Sequence, residues 1–271
     1  MNVEDKVAVI TGAGSGIGQA IATELAERGV RGIGLVDLSE SVLRVADAIN
    51  DHCNKHVGEA MIGDATDPAF RKKVFDVMQA RYGTPSICIP AAGIARDRLA
   101  VKIDKETGKA DIYPLEVFHQ VIEVNLLAPI YWGMEMVARI AEDRLRNGLK
   151  RWGPDEAIQG TIIFIGSVSS QGNPGQISYA ATKAGLEGAA ATLAKEAIYH
   201  GVRSAVIHPG FTDTPMVRAL GEKYINEHIL PHTQLRRLIQ PEEIADAIYF
   251  LICNSAVSGE LWADAGWHPS A

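Results

Sequence analysis

Along the chain, short runs of β-branched and aliphatic residues alternate with longer stretches whose apolar positions recur every three to four residues. The short runs fall at residues 7–10, 32–36, 57–62, 86–89, 161–165 and 203–207. Their nearly unbroken apolar character predicts strands covered on both faces, as in a parallel sheet. Helical periodicity marks 18–28, 68–81, 115–139, 179–200 and 241–253. Such alternation predicts an α/β fold, a doubly wound Rossmann-type sheet of about seven parallel strands flanked by helices. A single domain spanning residues 1–271 is expected, with polar, glycine-containing surface excursions at 96–113 and 142–159.

The composition, 47% hydrophobic and 22% charged, is that of a globular protein. A formal net charge of −7 argues against nucleic acid and anionic membrane surfaces as partners, because both select a positive field. No run of about 18 uninterrupted apolar residues occurs, so no membrane span is expected. The first twelve residues place charges directly before a short apolar run and do not read as a signal peptide. Three cysteines, Cys53, Cys88 and Cys253, are an odd number and fit reduced thiols in the cytoplasm. No metal site is expected: His52, Cys53 and His56 lack a third ligand set at zinc spacing, and Pro231 interrupts the helix that would align His228 with His232. The basic run Arg144, Arg146, Lys150 and Arg151 reads as a solvated face of the second excursion, with attraction of an acidic carrier or a coenzyme A phosphate as the alternative.

The chemistry begins where the first strand runs into Thr11-Gly12-Ala13-Gly14-Ser15-Gly16-Ile17-Gly18 and then a helix. A strand, a glycine turn and a helix N-terminus form an anion site, because free N–H groups and the helix dipole favour a pyrophosphate. No Gly-Lys-Ser/Thr follows, which excludes a P-loop. The second strand ends at Asp37, whose carboxylate can accept both adenosine ribose hydroxyls and repel a 2′-phosphate. NAD is therefore expected over NADP, unless Asp37 merely caps the following helix, a role also open to Ser39. Asp64 is placed to meet the adenine amino group, and Asp67 to cap the helix opened by Pro68.

Tyr179 and Lys183 lie four residues apart on one helix face. A nearby ammonium favours the phenolate and would bring the phenol toward a useful general base. Upstream, the strand at 161–165 ends in Gly166-Ser167-Val168-Ser169-Ser170, at the sheet end where ligands of this architecture sit. A dinucleotide turn, a serine to fix a carbonyl oxygen and a tyrosine to handle its proton are what hydride transfer requires.

With these residues assembled, the sequence resembles the short-chain dehydrogenase/reductase family over essentially its whole length. The family's glycine motif matches Gly12, Gly16 and Gly18, its catalytic tetrad matches Asn125, Ser167, Tyr179 and Lys183, and its proline-glycine turn matches 209–214. The resemblance implies an NAD-dependent oxidoreductase interconverting a secondary alcohol and a ketone, and a homotetramer. It implies that Lys183 also binds the nicotinamide ribose, that Asn125 holds a relay water and that Thr214 meets the carboxamide. It extends the cofactor site to Ser15, Ile17, Ala65, Ala92, Gly93, Tyr179, Pro209, Gly210 and Thr212. The expected substrate is a hydroxyacyl thioester or an alicyclic secondary alcohol. The alternatives are a 3-oxoacyl-carrier-protein reductase and, in another class, a catalytically silent NAD-binding sensor. Two local departures stand out: Pro90-Ala91-Ala92-Gly93 replaces the usual Asn-Asn-Ala-Gly, and Ser167 lies twelve residues before Tyr179 rather than thirteen, which leaves Ser169 as a second candidate. Trp262 and Trp267 are candidates for a pocket wall or a subunit contact.

Overall fold

The computed structural model describes residues 1–267. Strands β1 (Val7–Thr11), β2 (Gly32–Asp37), β3 (Gly58–Ile62) and β4 (Ile87–Pro90) are followed by a small antiparallel hairpin, β5 (Val101–Ile103) and β6 (Ala110–Ile112), and then by β7 (Gly160–Ile165), β8 (Val202–Pro209) and β9 (Gly259–Ala263). All except the hairpin join one seven-stranded parallel sheet in the order β3-β2-β1-β4-β7-β8-β9. The order reverses between β1 and β4, which opens a crevice at the C-terminal strand ends.

Helices α1 (Gly16–Glu27), α2 (Ser41–Cys53), α3 (Pro68–Tyr82), α4 (Leu115–Ile122), α5 (Ala128–Arg146), α6 (Ile177–Glu196), α7 (Pro215–Arg218), α8 (Glu222–Tyr224) and α9 (Pro241–Cys253) complete the chain. The two-residue period of a strand sorts the core. Ala8 and Ile10 of β1 pack with Ile21, Val45 and Ile248 from α1, α2 and α9, while Val7 and Val9 pack with Phe75, Trp132 and Met136 from α3 and α5. Both faces are covered, which is why the strand sequences read as apolar runs instead of alternating ones. Asp67 caps α3 by accepting from Ala69 N–H at 2.8 Å, as its place before Pro68 predicts.

Several elements differ from the sequence expectation. Helix α2 escapes notice because its buried stripe is four modest side chains, Val42, Val45, Ala46 and Ile49, set among charged residues. The stretch expected at 115–139 runs on to Arg146 and carries a π-helical turn, Glu123–Leu127. That continuous run, Leu115–Arg146, is long and apolar enough by length and composition to cross a bilayer, although charges interrupt it. Its Trp132, Met136 and Ile140 are instead buried against the sheet. Arg144 is not on a solvated face: its guanidinium is 3% exposed, pairs with Glu156 at 2.6 Å and donates to the Lys150 carbonyl at 3.0 Å. The side chain is the pin that folds the second excursion back on α5.

Arg203 plays a similar part beneath α9. It is buried, burial lowers its pKa, and it donates to the carbonyls of Leu251 and Asn254 at the helix C-terminus. Arg203→Ala leaves those carbonyls without their donor. The expected loss is about 3 kcal/mol, read as a fall in Tm of about 6–12 °C by differential scanning calorimetry.

Candidate active site

The glycine turn sits at the floor of the crevice. Gly12 has φ +67°, and a Cβ on Gly18 would lie 2.1 Å from the Gly12 carbonyl oxygen, so the turn closes on α1 more tightly than any side chain permits. No side chain caps the first turn of α1, whose N–H groups are left for an anion. Gly12, Ser15, Gly16, Ile17 and Gly18 all line the same cavity of about 670 Å³.

Asp37 lines it too, and its carboxylate is held in place by two backbone donors, Gly14 N–H on Oδ2 and Ser39 N–H on Oδ1, each at 2.9 Å. It does not cap α2, which starts at Ser41 without a side-chain cap. Asp64 and Ala65 also reach the cavity, but Asp64 Oδ1 already accepts from Thr66 N–H and Thr66 Oγ1, both at 2.8 Å.

Pro90 ends β4 opposite Thr11. Thr11 supplies local bracing: its carbonyl accepts from Ala91 N–H at 3.2 Å and its Oγ1 from Ala92 N–H at 3.1 Å. On the other side, β4 pairs with β7 only through Ile87 with Thr161 and Cys88 with Ile162. The main chain of β7 beyond Ile162 is thus free of the β4 ladder, and the Ile165 carbonyl accepts from Lys183 Nζ at 2.7 Å. Ala92 and Gly93 line the cavity.

Tyr179 and Lys183 stand side by side on α6 and face the cavity, with Lys183 Nζ 5.4 Å from the tyrosine ring centroid. Their electrostatics differ from the sequence expectation. Burial pushes the Tyr179 phenol up to about 12, offset in part by a hydrogen bond with Ser167 and reinforced by Asp97. Burial also pushes the Lys183 ammonium down to about 8. The expected lowering of the phenol by its lysine neighbour is absent: burial dominates the phenol, and the Lys183 ammonium, itself depressed by burial, donates to the Ile165 carbonyl.

Ser167 is buried at the start of a short 3₁₀ turn, Val168–Gln171, where its Oγ accepts from Ser169 N–H at 3.1 Å. It is Ser167, not Ser169, whose hydroxyl acts on the Tyr179 phenol and favours its phenolate. Asn125 is fully buried in the π-helical turn, and its amide grips Ile94 in both directions, Oδ1 from Ile94 N–H and Nδ2 to Ile94 C=O, each at 2.8 Å. A π turn inside an α-helix is a feature of functional sites. Here it seats Asn125 under the segment that follows Gly93.

Of the 209–214 turn, Thr214 reaches the cavity and caps α7 with its Oγ1 on Val217 N–H at 3.4 Å. Pro209, Gly210 and Thr212 do not line it; Gly210 N–H binds Ala263 C=O and Thr212 Oγ1 donates to Gly210 C=O, so they build the turn that presents Thr214. Trp262 lies flat on His208 at 4.1 Å, and Trp267 meets Phe211 edge-on at 5.1 Å. The sequence reading missed Ile94, Gln120 and Glu123 in the cavity wall. Ile94 and Glu123 adjoin motif residues and could have been found from them. Gln120 carries no spacing signal.

Comparison with known proteins agrees with this geometry. A family model described as enoyl-(acyl carrier protein) reductase, of the short-chain dehydrogenase type, matches residues 12–268. The chain is 35% identical over 263 residues to 3-oxoacyl-(acyl-carrier-protein) reductase FabG of Escherichia coli, covering 96% of each chain, and 34% identical over 258 residues to that of Pseudomonas aeruginosa, covering 94% and 93%. A crystal structure described as ribose-5-phosphate isomerase from Brucella melitensis superposes with a TM-score of 0.81 at 27% identity, covering 98% of this chain and 93% of that one. An isomerase on the same fold is no surprise, since fold alone does not fix chemistry. The match extends from the glycine turn through Tyr179 and Lys183 to the last strand, so the chain belongs to the short-chain dehydrogenase/reductase family, nicotinamide-dependent oxidoreductases of CH–OH and ketone groups.

Proposed function

We propose that the protein is an NAD(H)-dependent dehydrogenase/reductase that interconverts a secondary alcohol and a ketone through Asn125, Ser167, Tyr179 and Lys183. The observation that carries the cofactor choice is Asp37, a carboxylate fixed in the cavity by Gly14 N–H. Its remaining lone pairs suit two ribose hydroxyls, and its charge opposes a 2′-phosphate. The glycine turn fits a pyrophosphate for the steric reason already given. A nicotinamide dinucleotide held there would supply a hydride acceptor for the substrate carbon and, in its oxidised form, a positive charge favouring the phenolate.

The chain's own residues manage the oxygen. The Ser167 hydroxyl, which favours the Tyr179 phenolate, holds the substrate oxygen within reach of the phenol. Tyr179 removes the hydroxyl proton in oxidation and returns it in reduction. Lys183 holds the nicotinamide ribose and, through its Nζ–H to Ile165, keeps a fixed position one helical turn from Tyr179. The Asn125 side chain is engaged with Ile94, so a relay water at this residue meets its main-chain carbonyl.

For the substrate we favour an acyl thioester oxidised or reduced at its third carbon. The relatives' printed activity on 3-oxoacyl-carrier-protein supports that class, and Asp37 favours the oxidative direction because cells keep NAD largely oxidised. A homotetramer is supported by Leu127, Tyr131 and Met134, which α5 and its preceding turn leave exposed. A cytoplasmic setting is supported by three free cysteines.

NADH formation at 340 nm, with NAD and then NADP, against 3-hydroxyacyl thioesters, cyclic secondary alcohols and a hydroxysteroid tests the reading. Turnover with NAD and a thioester is expected. Asp37→Asn keeps an acceptor for Gly14 N–H while removing the charge, so the ratio of kcat/KM for NAD over NADP should fall at least about tenfold. A wild-type enzyme that prefers NADP contradicts the assignment of Asp37.

A further inference from the structure

Behind the catalytic wall lies a second cluster that the reaction does not use. His208, in β8, is fully buried, yet its Nε2 has no hydrogen-bond partner. That nitrogen points between two carboxylates, Glu187 of α6 at 3.8 Å and Glu260 of β9 at 3.5 Å. The three ligand atoms lie within 4.8 Å of one another. Neither glutamate has an arginine or lysine within ion-pair distance among the described residues.

The other ring nitrogen is anchored to the main chain. His208 Nδ1 lies 3.1 Å from the Ser167 carbonyl oxygen and 3.3 Å from Ser167 N. Ser167 thus offers Nδ1 both a carbonyl and an N–H, and the ring can carry its proton on Nδ1 and turn a lone pair on Nε2 toward the two carboxylates, the form that a cation selects. A Cβ on Gly166 would lie 2.6 Å from Nδ1, so only glycine at that position admits the ring. Trp262 covers the ring face. A buried imidazole, held at Nδ1 by the Ser167 main chain and converging with two carboxylates, has the donor set and outer-shell support of a divalent-cation site.

We propose that Glu187, His208 and Glu260 bind a divalent first-row cation, with zinc the best match to one imidazole and two carboxylates. Zinc holds such ligands at about 2.0–2.2 Å, which in a tetrahedron separates them by about 3.4 Å. The observed separations, 3.5 and 3.8 Å from Nε2 and none beyond 4.8 Å, close to that geometry by rotation of two part-exposed glutamates. Strand β9 is at the sheet edge and Glu260 is 42% exposed, so a water from solvent can complete the coordination. Because the same imidazole holds the Ser167 main chain, the cation locks the Nδ1–H tautomer and stiffens the turn that presents Ser167. The site is structural and stands independently of the cofactor and substrate assigned above.

The test is calorimetric titration of the intact protein with zinc, alongside E187Q, E260Q and the double variant. Both glutamates are part-exposed, so these variants keep the fold. One site per chain is expected, at least tenfold weaker in each single variant and lost in the double variant. Zinc should also alter tryptophan emission through Trp262 and raise the wild-type Tm by several degrees, with neither effect in the double variant. Equal isotherms for wild type and double variant overturn the proposal. So does a His208 imidazole that NMR shows to keep a proton on Nε2 at pH 7 with zinc in excess.

Discussion

Tyr179→Phe is expected to lower kcat/KM by about 10³-fold while leaving dinucleotide affinity within a factor of about two. The change deletes one hydroxyl and keeps the ring, which holds its place on α6 beside the cavity. On the role proposed above, what disappears is the group that exchanges the substrate's proton, and among the described residues the neighbours are poor substitutes: Ser167 has no base of its own and Lys183 is bound to Ile165. The pH profile distinguishes the role from mere packing. With the phenol pushed up to about 12, the protonated form dominates through the neutral range. Reduction, which needs the phenol, should be nearly flat from pH 6 to 9, whereas oxidation, which needs the phenolate, should rise about tenfold per pH unit. Initial rates at 340 nm in both directions, with cofactor titration by calorimetry, check it. Full turnover in the variant removes Tyr179 from the chemistry.

Lys183→Met should abolish turnover and yet make the protein more stable at pH 7. In the fold the ammonium titrates at about 8, against an ordinary 10.5. Above pH 10.5 both folded and unfolded chains carry neutral lysine and no penalty applies. As the pH falls, the unfolded chain takes up the proton first, and below pH 8 both are charged, so the full cost of burying the charge is present. That cost is about 3 kcal/mol. Methionine matches the stem and removes the charge, at a loss of about 1 kcal/mol for the Ile165 carbonyl left without its donor. The net gain, about 2 kcal/mol, should raise Tm by about 4–8 °C at pH 7, and the difference should shrink as the pH approaches 10. Thermal denaturation at several pH values reads it directly. A variant less stable than the parent at pH 7 means that Lys183 is held by more than the contacts described. Functional charge maintained against stability is the usual bargain of an enzyme cleft.

What the sequence made legible follows from how locally each feature is encoded. The glycine turn, the Asp67 cap and the strands covered on both faces are set by neighbours within a few positions, and they appear where the pattern predicts. The Tyr179–Lys183 face is equally local, a matter of helical spacing. The perturbed acidities of that pair were not readable, because they arise from burial among β7, the Ser167 turn and the chain at Gly93, and the balance of burial against charge has no sequence signature. Arg144 misled for the same reason: a basic residue among basic residues looks solvated until Glu156, twelve positions on, is seen to fold back on it. The Glu187, His208 and Glu260 cluster gathers residues from α6, β8 and β9, and only the sheet order brings them together.

The way the first excursion is tied down has an evolutionary consequence. Tyr113 OH bonds the Arg96 carbonyl at 2.8 Å and Ser178 Oγ at 2.9 Å, so the β5–β6 hairpin hangs between two clamped ends, one of them adjacent to Tyr179. Beyond that clamp the hairpin strands are exposed and touch none of the dinucleotide residues. Doubling the length of such a loop costs only about 0.6 kcal/mol in closure entropy. Descendants can therefore lengthen, shorten or recolour the hairpin to suit new substrates while the clamp preserves the register of the tyrosine, which lets specificity drift on a time scale separate from that of the chemistry.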